Sequence, residues 1–87
     1  MTKSEALKVM AEIADHTPFH GFLVRSEYAP DSYAVAVSAE DSASDDSVAA
    51  DYYELGDPWI NPILEKLAKA RGEYWQWRDP GCIELWD

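Results

Sequence analysis

The last fifteen residues, Glu73–Asp87, read "EYWQWRDPGCIELWD". Two alternating apolar runs flank an Asp-Pro-Gly turn signal, which is the pattern of a β-hairpin. A three-residue loop over Asp79–Gly81 pairs Arg78 with Cys82. It then sets Trp77 against Ile83 and Trp75 against Leu85, so that one face is entirely apolar. A two-residue loop sets Trp77 against Glu84 instead. The apolar register is the one expected, because a one-residue slip sends every side chain to the opposite face. Gly81 is expected to take a positive φ after Pro80. A hairpin with one apolar face is marginal alone in water, so something earlier in the chain has to cover it.

Just upstream, "NPILEKLAKARG" spans Asn61–Gly72. Asn61 suits an N-cap, Pro62 the first helical position and Gly72 the position just past the end. Ile63, Leu64, Leu67 and Ala70 are the expected buried stripe. Glu65 and Lys69 stand four apart in the favourable order, and Lys66, Lys69 and Arg71 lie toward the negative end of the helix dipole.

The first half repeats this plan without repeating the residues. "TKSEALKVMAEIADH" places Thr2 and Glu5 at capping-box spacing, followed by Ala6, Val9, Met10 and Ile13 on one helical face. Thr17 precedes Pro18 and is biased away from helical backbone, which ends the element near Asp15 or His16. "FHGFLVRSEYAPDSYAVAVS", Phe19–Ser38, then predicts a hairpin around "APDS". Pairing Ala29 with Ser32 sets Tyr28 opposite Tyr33, Ser26 opposite Val35 and Val24 opposite Val37. Phe22 and Val24 then share the apolar face, while Leu23 and Arg25 point away.

Two helices and two hairpins, each with one apolar face, are most economically buried as two layers. The expected fold is α+β: a two-layer sandwich with a four-stranded antiparallel sheet from two hairpins and both helices on one face. The whole chain, residues 1–87, makes a single domain of the size at which one core is just sufficient. Cys82 is the one cysteine, so no intrachain disulfide forms and a cytoplasmic setting is expected. The N-terminal stretch lacks a signal-type apolar region, and no apolar run approaches the roughly 18 residues of a membrane span.

The charge is concentrated. Glu27, Asp31, Glu40, Asp41, Asp45, Asp46, Asp51, Glu54, Asp57 and Glu65 are ten acids with no Lys or Arg among residues 26–65. The other seven acids are matched by the chain's seven bases, so the central stretch accounts for the net charge of -10. A solubility adaptation needs a charge of only about 2 to 8 for a small domain and does not need it clustered. A concentrated field repels nucleic acid and membranes and attracts a basic protein surface.

Catalytic and metal motifs are weak. His16 and His20 are separated by Pro18, which forbids a helical arrangement aiming both at one ion. "DSASDDSVAAD" lacks the spacing and the closing glutamate of an EF-hand loop. No nucleophile elbow, phosphate-cradling glycine loop or Cys-His signature is present, so no enzyme activity and no cofactor are expected. Trp75 and Trp77 fit the core, whereas Trp59 beside Asp57 is expected as an exposed interface anchor.

Within the acidic stretch, Asp46 suits an N-cap, Val48, Tyr52 and Leu55 recur at helical spacing, and Gly56 suits a stop. This gives either a short helix between the two halves or a solvated loop with one amphipathic turn. The expected partner-binding residues are Glu40, Asp41, Asp45, Asp46, Asp51, Glu54 and Asp57 for charge, with Tyr52, Tyr53 and Trp59 as anchors.

In size, cysteine poverty, acidity and charge clustering, the chain resembles the small acidic inhibitors of phages and mobile elements, including anti-CRISPR proteins and DNA mimics. That resemblance implies a protein that binds the basic surface of a nucleic-acid-handling target, such as a CRISPR effector, without binding nucleic acid itself. The alternative expectation is a small regulatory module that meets a partner protein through an exposed aromatic sheet face using Leu23, Tyr74 or Trp86.

Overall fold

The computed structural model describes residues 1–26, 29, 31–41, 48–52 and 58–86. Its elements are α1 (Lys3–His16), β1 (Gly21–Arg25), β2 (Tyr33–Ser38), β3 (Ala50–Asp51), β4 (Trp59–Ile60), α2 (Pro62–Arg71), β5 (Tyr74–Asp79) and β6 (Cys82–Trp86). The fold is α+β, with the four-stranded antiparallel sheet in the order β1-β2-β6-β5 and a separate two-stranded sheet of β3 and β4. The hairpins therefore join through their second strands, which leaves β1 and β5 as the edges.

Both helices are bounded by the residues that suit their ends. Thr2 Oγ1 accepts from Glu5 N–H at 3.1 Å at the start of α1. Asn61 Oδ1 accepts from Ile63 N–H at 3.1 Å at the start of α2. Gly72 ends α2 at φ 72°, a left-handed conformation that costs glycine nothing. Ala6, Val9 and Ile13 of α1 are buried as expected. The stripe of α2 is turned from the expected one: Leu64 and Ala68 are buried and Leu67 half-buried, whereas Ile63 and Ala70 are exposed. The cause is Trp75, whose Nε1–H donates to Leu64 O at 2.7 Å and seats that side of the helix on the sheet.

The sheet face beneath the helices carries Val35, Val37, Trp75, Ile83 and Leu85, in one cluster with Ala6, Val9, Ile13, Phe19, Leu64 and Ala68. In the second hairpin Trp75 faces Leu85 and Trp77 faces Ile83, the expected apolar register. Its turn is tighter than expected. Asp79, not Arg78, pairs with Cys82, and a β-bulge between Trp77 and Asp79 takes up the difference. Gly81 needs no positive φ. Instead its N–H donates to Asp79 Oδ1 at 2.8 Å, so the Asp side chain shapes the turn.

The first hairpin departs from the expected register. Ser32 N–H donates to Ala29 O at 2.8 Å, joining the two residues expected to pair there. The ladder, however, closes at Ser26 N–H to Ser32 O and runs Leu23↔Val35, Gly21↔Val37 and Phe22↔Ala36. The offset from Val24↔Val37 is an odd number of residues, so the faces exchange. Leu23 packs against the core and Phe22 points outward, 44 % exposed. Gly21 explains the choice. A Cβ there would lie 2.6 Å from Val35 Cγ1 and 3.3 Å from Ile13 Cδ1, so only glycine fits where α1 crosses β1. The expected pairing of Tyr28 lies outside the described residues.

Between the halves, the expected short helix gives way to extended backbone at Ala50–Asp51, which pairs with Trp59–Ile60. Residues 42–47 and 53–57 of that expectation lie outside the described residues. Among the described residues no helix is long and apolar enough to cross a membrane.

Candidate functional site

The acidic stretch leaves the sheet at the end of β2, and small residues let it pack there. Ala39, Ala49 and Ala50 are all buried. Ala39 N–H donates to Gly81 O at 2.9 Å, and Ala50 N–H to Ala39 O at 3.3 Å. Ala49 N–H donates to Asp41 O at 2.9 Å, so the segment that leaves at Asp41 returns beside it. Asn61 then secures the same corner from the α2 side: its N–H donates to Ala49 O at 2.8 Å, and its Nδ2 to Val48 O at 3.1 Å. The N-cap of α2 is thus also the lock on the acidic corner.

The next acidic segment is closed in the same place. Asp51 pairs with Trp59 across β3 and β4, which holds together the two ends of the chain between them. Tyr52 follows at once and meets Trp77 edge to face, with ring centroids 5.2 Å apart at 79°. That geometry favours the positive ring edge against the negative face and fixes the Tyr52 ring while 41 % of the residue stays exposed. The described residues that flank 42–47 and 53–57 therefore meet at one corner of the molecule.

The expected site residues separate into three groups. Glu40 and Tyr52 are both exposed, and the Tyr52 ring is oriented by Trp77. Asp41 has structural work: its Oδ2 accepts from His20 N–H at 2.9 Å and lies 3.9 Å from His20 Nδ1. Asp51 and Trp59 are half-buried as ladder partners, so Trp59 is not the exposed anchor expected from its neighbour Asp57. Asp45, Asp46, Tyr53, Glu54 and Asp57 lie outside the described residues. The tie between His20 and Asp41 spans 21 residues with no local signal, which is why sequence spacing misses it.

No group of three or more potential metal-ligating side chains occurs among the described residues. A groove of about 860 Å³ opens between α1 and α2, with Ile63, Leu67 and Ala70 among its apolar lining and Glu12, His16, Lys66 and Arg71 among its polar lining. Arg71 is committed there: Nη1 donates to Glu12 Oε2 at 2.9 Å, and Nε donates to Glu73 Oε1. Burial works against its charge, but hydrogen bonding and attraction from Glu73, and then Glu12, hold the guanidinium pKa above its ordinary value.

Among the described residues, no helix lies on the other face of the sheet. Phe22, Ala34, Ala36, Glu84, Trp86, Tyr74 and Gln76 alternate onto it in the observed registers. Tyr74 is 55 % exposed and stands opposite half-buried Trp86, while Glu84 is buried and pairs with Arg78 Nε at 3.4 Å. Leu23, expected on this surface, is turned to the core by the register of β1.

The fold is two-layer α+β, with Glu40, Asp41 and Asp51 at a corner closed by backbone bonds among Ala39, Asp41, Ala49, Ala50 and Asn61. No protein-family model, curated protein or solved structure matches the chain.

Proposed function

We propose that this protein is a non-enzymatic inhibitor that acts by binding, its acidic corner occupying the basic nucleic-acid groove of a target protein such as a CRISPR effector. One observation carries the reading. Glu40, Asp41, Asp45, Asp46, Asp51, Glu54 and Asp57 follow one another with no intervening Lys or Arg, and the described residues on either side of 42–47 and 53–57 are tied to one corner. Such a surface takes the place of a phosphate backbone: it engages Lys and Arg side chains and speeds encounter through its field. Tyr52, held by Trp77, supplies the aromatic contact that charge alone does not. The setting is the cytoplasm of a host cell, and the chain itself binds no nucleic acid.

The test is competition. A CRISPR effector is loaded with fluorescent duplex DNA, and displacement by the chain is followed by anisotropy at ~50 and ~300 mM NaCl. Wild type displaces DNA and does so less well at high salt. The triple reversal Glu40→Lys, Asp45→Lys, Asp46→Lys abolishes displacement without lowering Tm by more than a few degrees; Asp41 is left intact because it holds His20. Displacement undiminished by the reversal refutes the acidic reading.

A second reading rests on the sheet face opposite the helices, where Tyr74 and Phe22 are exposed. A regulatory module binding a partner there loses affinity on Tyr74→Ala and is indifferent to added salt, the opposite response.

A further inference from the structure

The two edges of the sheet are not alike. β5 is interrupted by a bulge and ends in Arg78 and Asp79, two of the devices that discourage strand addition. β1, with the sequence Gly-Phe-Leu-Val-Arg, has no proline, and its ladder with β2 runs without a register shift. Its hydrogen-bonding phase follows from Ser26 N–H bonding to Ser32 O. In an antiparallel ladder that phase turns residues 22, 24 and 26 toward β2 and presents the backbone groups of Gly21 and Leu23 to the open edge.

We propose that β1 is a homodimerisation edge, pairing antiparallel with β1 of a second copy about a two-fold axis at Leu23. The occupant is a second copy because the strand complements itself. With Leu23 opposite Leu23, Gly21 falls opposite Arg25, and Phe22 falls opposite Val24. Phe22 and Val24 lie on the outer face in a non-hydrogen-bonded pair, the closer kind, so each copy's exposed Phe22 gains an apolar cross-strand neighbour. Charge agrees with this pairing. The register carries Arg25, the one Lys or Arg among residues 9–65, toward the Gly21 end of the second copy, where His20 and Asp41 meet.

The sheet becomes eight-stranded and the acidic corner is duplicated. A five-residue strand pair buries less than a standard interface, so association is reversible, half-complete between ~10 µM and ~1 mM.

Sedimentation equilibrium in 0.15 M NaCl tests the proposal. Wild type rises from 9.8 kDa toward twice that mass with concentration. Phe22→Lys, on an exposed outer position, stays at the monomer mass with an unchanged circular dichroism spectrum. Independently, Leu23→Cys in a Cys82→Ser background gives a disulfide-linked dimer on oxidation, because directly opposed residues of this kind sit about 5.5 Å apart at Cα, within reach of the bond. Tyr74→Cys at the other edge, in the same background, does not. Wild type monomeric up to about 1 mM overturns the proposal; so does a Phe22→Lys variant that still dimerises, or Leu23→Cys that fails to cross-link more than Tyr74→Cys.

Discussion

Substituting Gly21→Ala tests the register of the first hairpin, and with it the whole orientation of β1. In most strands this change stabilises by about 0.4–1 kcal/mol, because alanine restricts the unfolded chain. Here the new Cβ would come within 2.6 Å of Val35 Cγ1 and 3.3 Å of Ile13 Cδ1. Ordinary carbon contacts lie at about 3.5–4.0 Å, so Val35 must retreat by roughly 1 Å. It has nowhere to go, since Val35 and Ile13 are both fully buried and a β-branched side chain has few rotamers to choose from. Overpacking of this kind costs about 1–3 kcal/mol. The balance is a net destabilisation of about 1.5 kcal/mol, or roughly 6–12 °C in Tm for a domain of this size. Thermal melts at low protein concentration measure it, with Phe22→Ala as the control. Phe22 points outward in the observed register, so its truncation lowers Tm by only a few degrees. In the register that the turn sequence suggests, Gly21 faces outward and Phe22 inward, and the two outcomes exchange: Gly21→Ala with unchanged or raised Tm refutes the reasoning.

Trp75→Phe removes a buried N–H bonded to Leu64 O at 2.7 Å and leaves a void where the larger ring was; the two losses together cost about 2–3 kcal/mol by urea titration. Cys82 is held in its neutral form, by burial first and then by Asp79 and Glu84, against a smaller opposite pull from Arg78, so its pKa is raised above the ordinary 9.0. Its thiolate therefore forms at higher pH than that of a free thiol, and the pH profile of thiol labelling is displaced upward; a midpoint at or below that of free cysteine contradicts it. Asp41→Ala removes the acceptor for His20 N–H and destabilises by about 1 kcal/mol in the same titration, whereas Glu40→Ala on the same corner is neutral within ~0.5 kcal/mol. Finally, since folding compacts a chain of net charge -10, raising NaCl from about 20 to about 500 mM raises Tm by a few degrees, and a fall would count against net repulsion in the folded state.

Where local chemistry decides, the sequence is a good guide. Thr2, Asn61, Pro62 and Gly72 bound the helices as their side chains dictate, because caps act within three or four residues. The Trp75↔Leu85 and Trp77↔Ile83 pairs are legible because only one register makes the face apolar. The first hairpin misleads for the complementary reason. Phe22-Leu23-Val24 is apolar at every position, so alternation does not distinguish the faces, and the turn at Ala29–Ser32 becomes the sole local cue. What settles it is a contact between Gly21 and α1, which no window of adjacent residues contains. The β3 and β4 pair is hidden in the same way. Val48, Tyr52 and Leu55 have helical spacing, but Ala49 bonds to Asp41 and Ala50 is drawn into extended backbone by its bond to Ala39 and its pairing with Ile60.

The corner also shows how a chain can carry a net charge of -10 without building its stability on it. The bonds that close the acidic segments are mainly backbone to backbone, made among Ala39, Asp41, Ala49, Ala50 and Asn61, with the Asn61 side chain adding one more. Three of these residues are alanines, whose side chains are small enough to bury against the end of β2 with no polar group to satisfy. Of the described carboxylates there, Asp41 accepts the His20 bond, while Glu40 remains exposed and forms no ion pair with a described base. The charge at Glu40 can be changed with little cost to the fold, because the backbone bonds that close the corner do not involve its side chain. On the proposed function, mutation at Glu40 separates binding from folding, whereas mutation at Asp41 perturbs the fold through His20, so two neighbours in sequence give substitutions of opposite meaning.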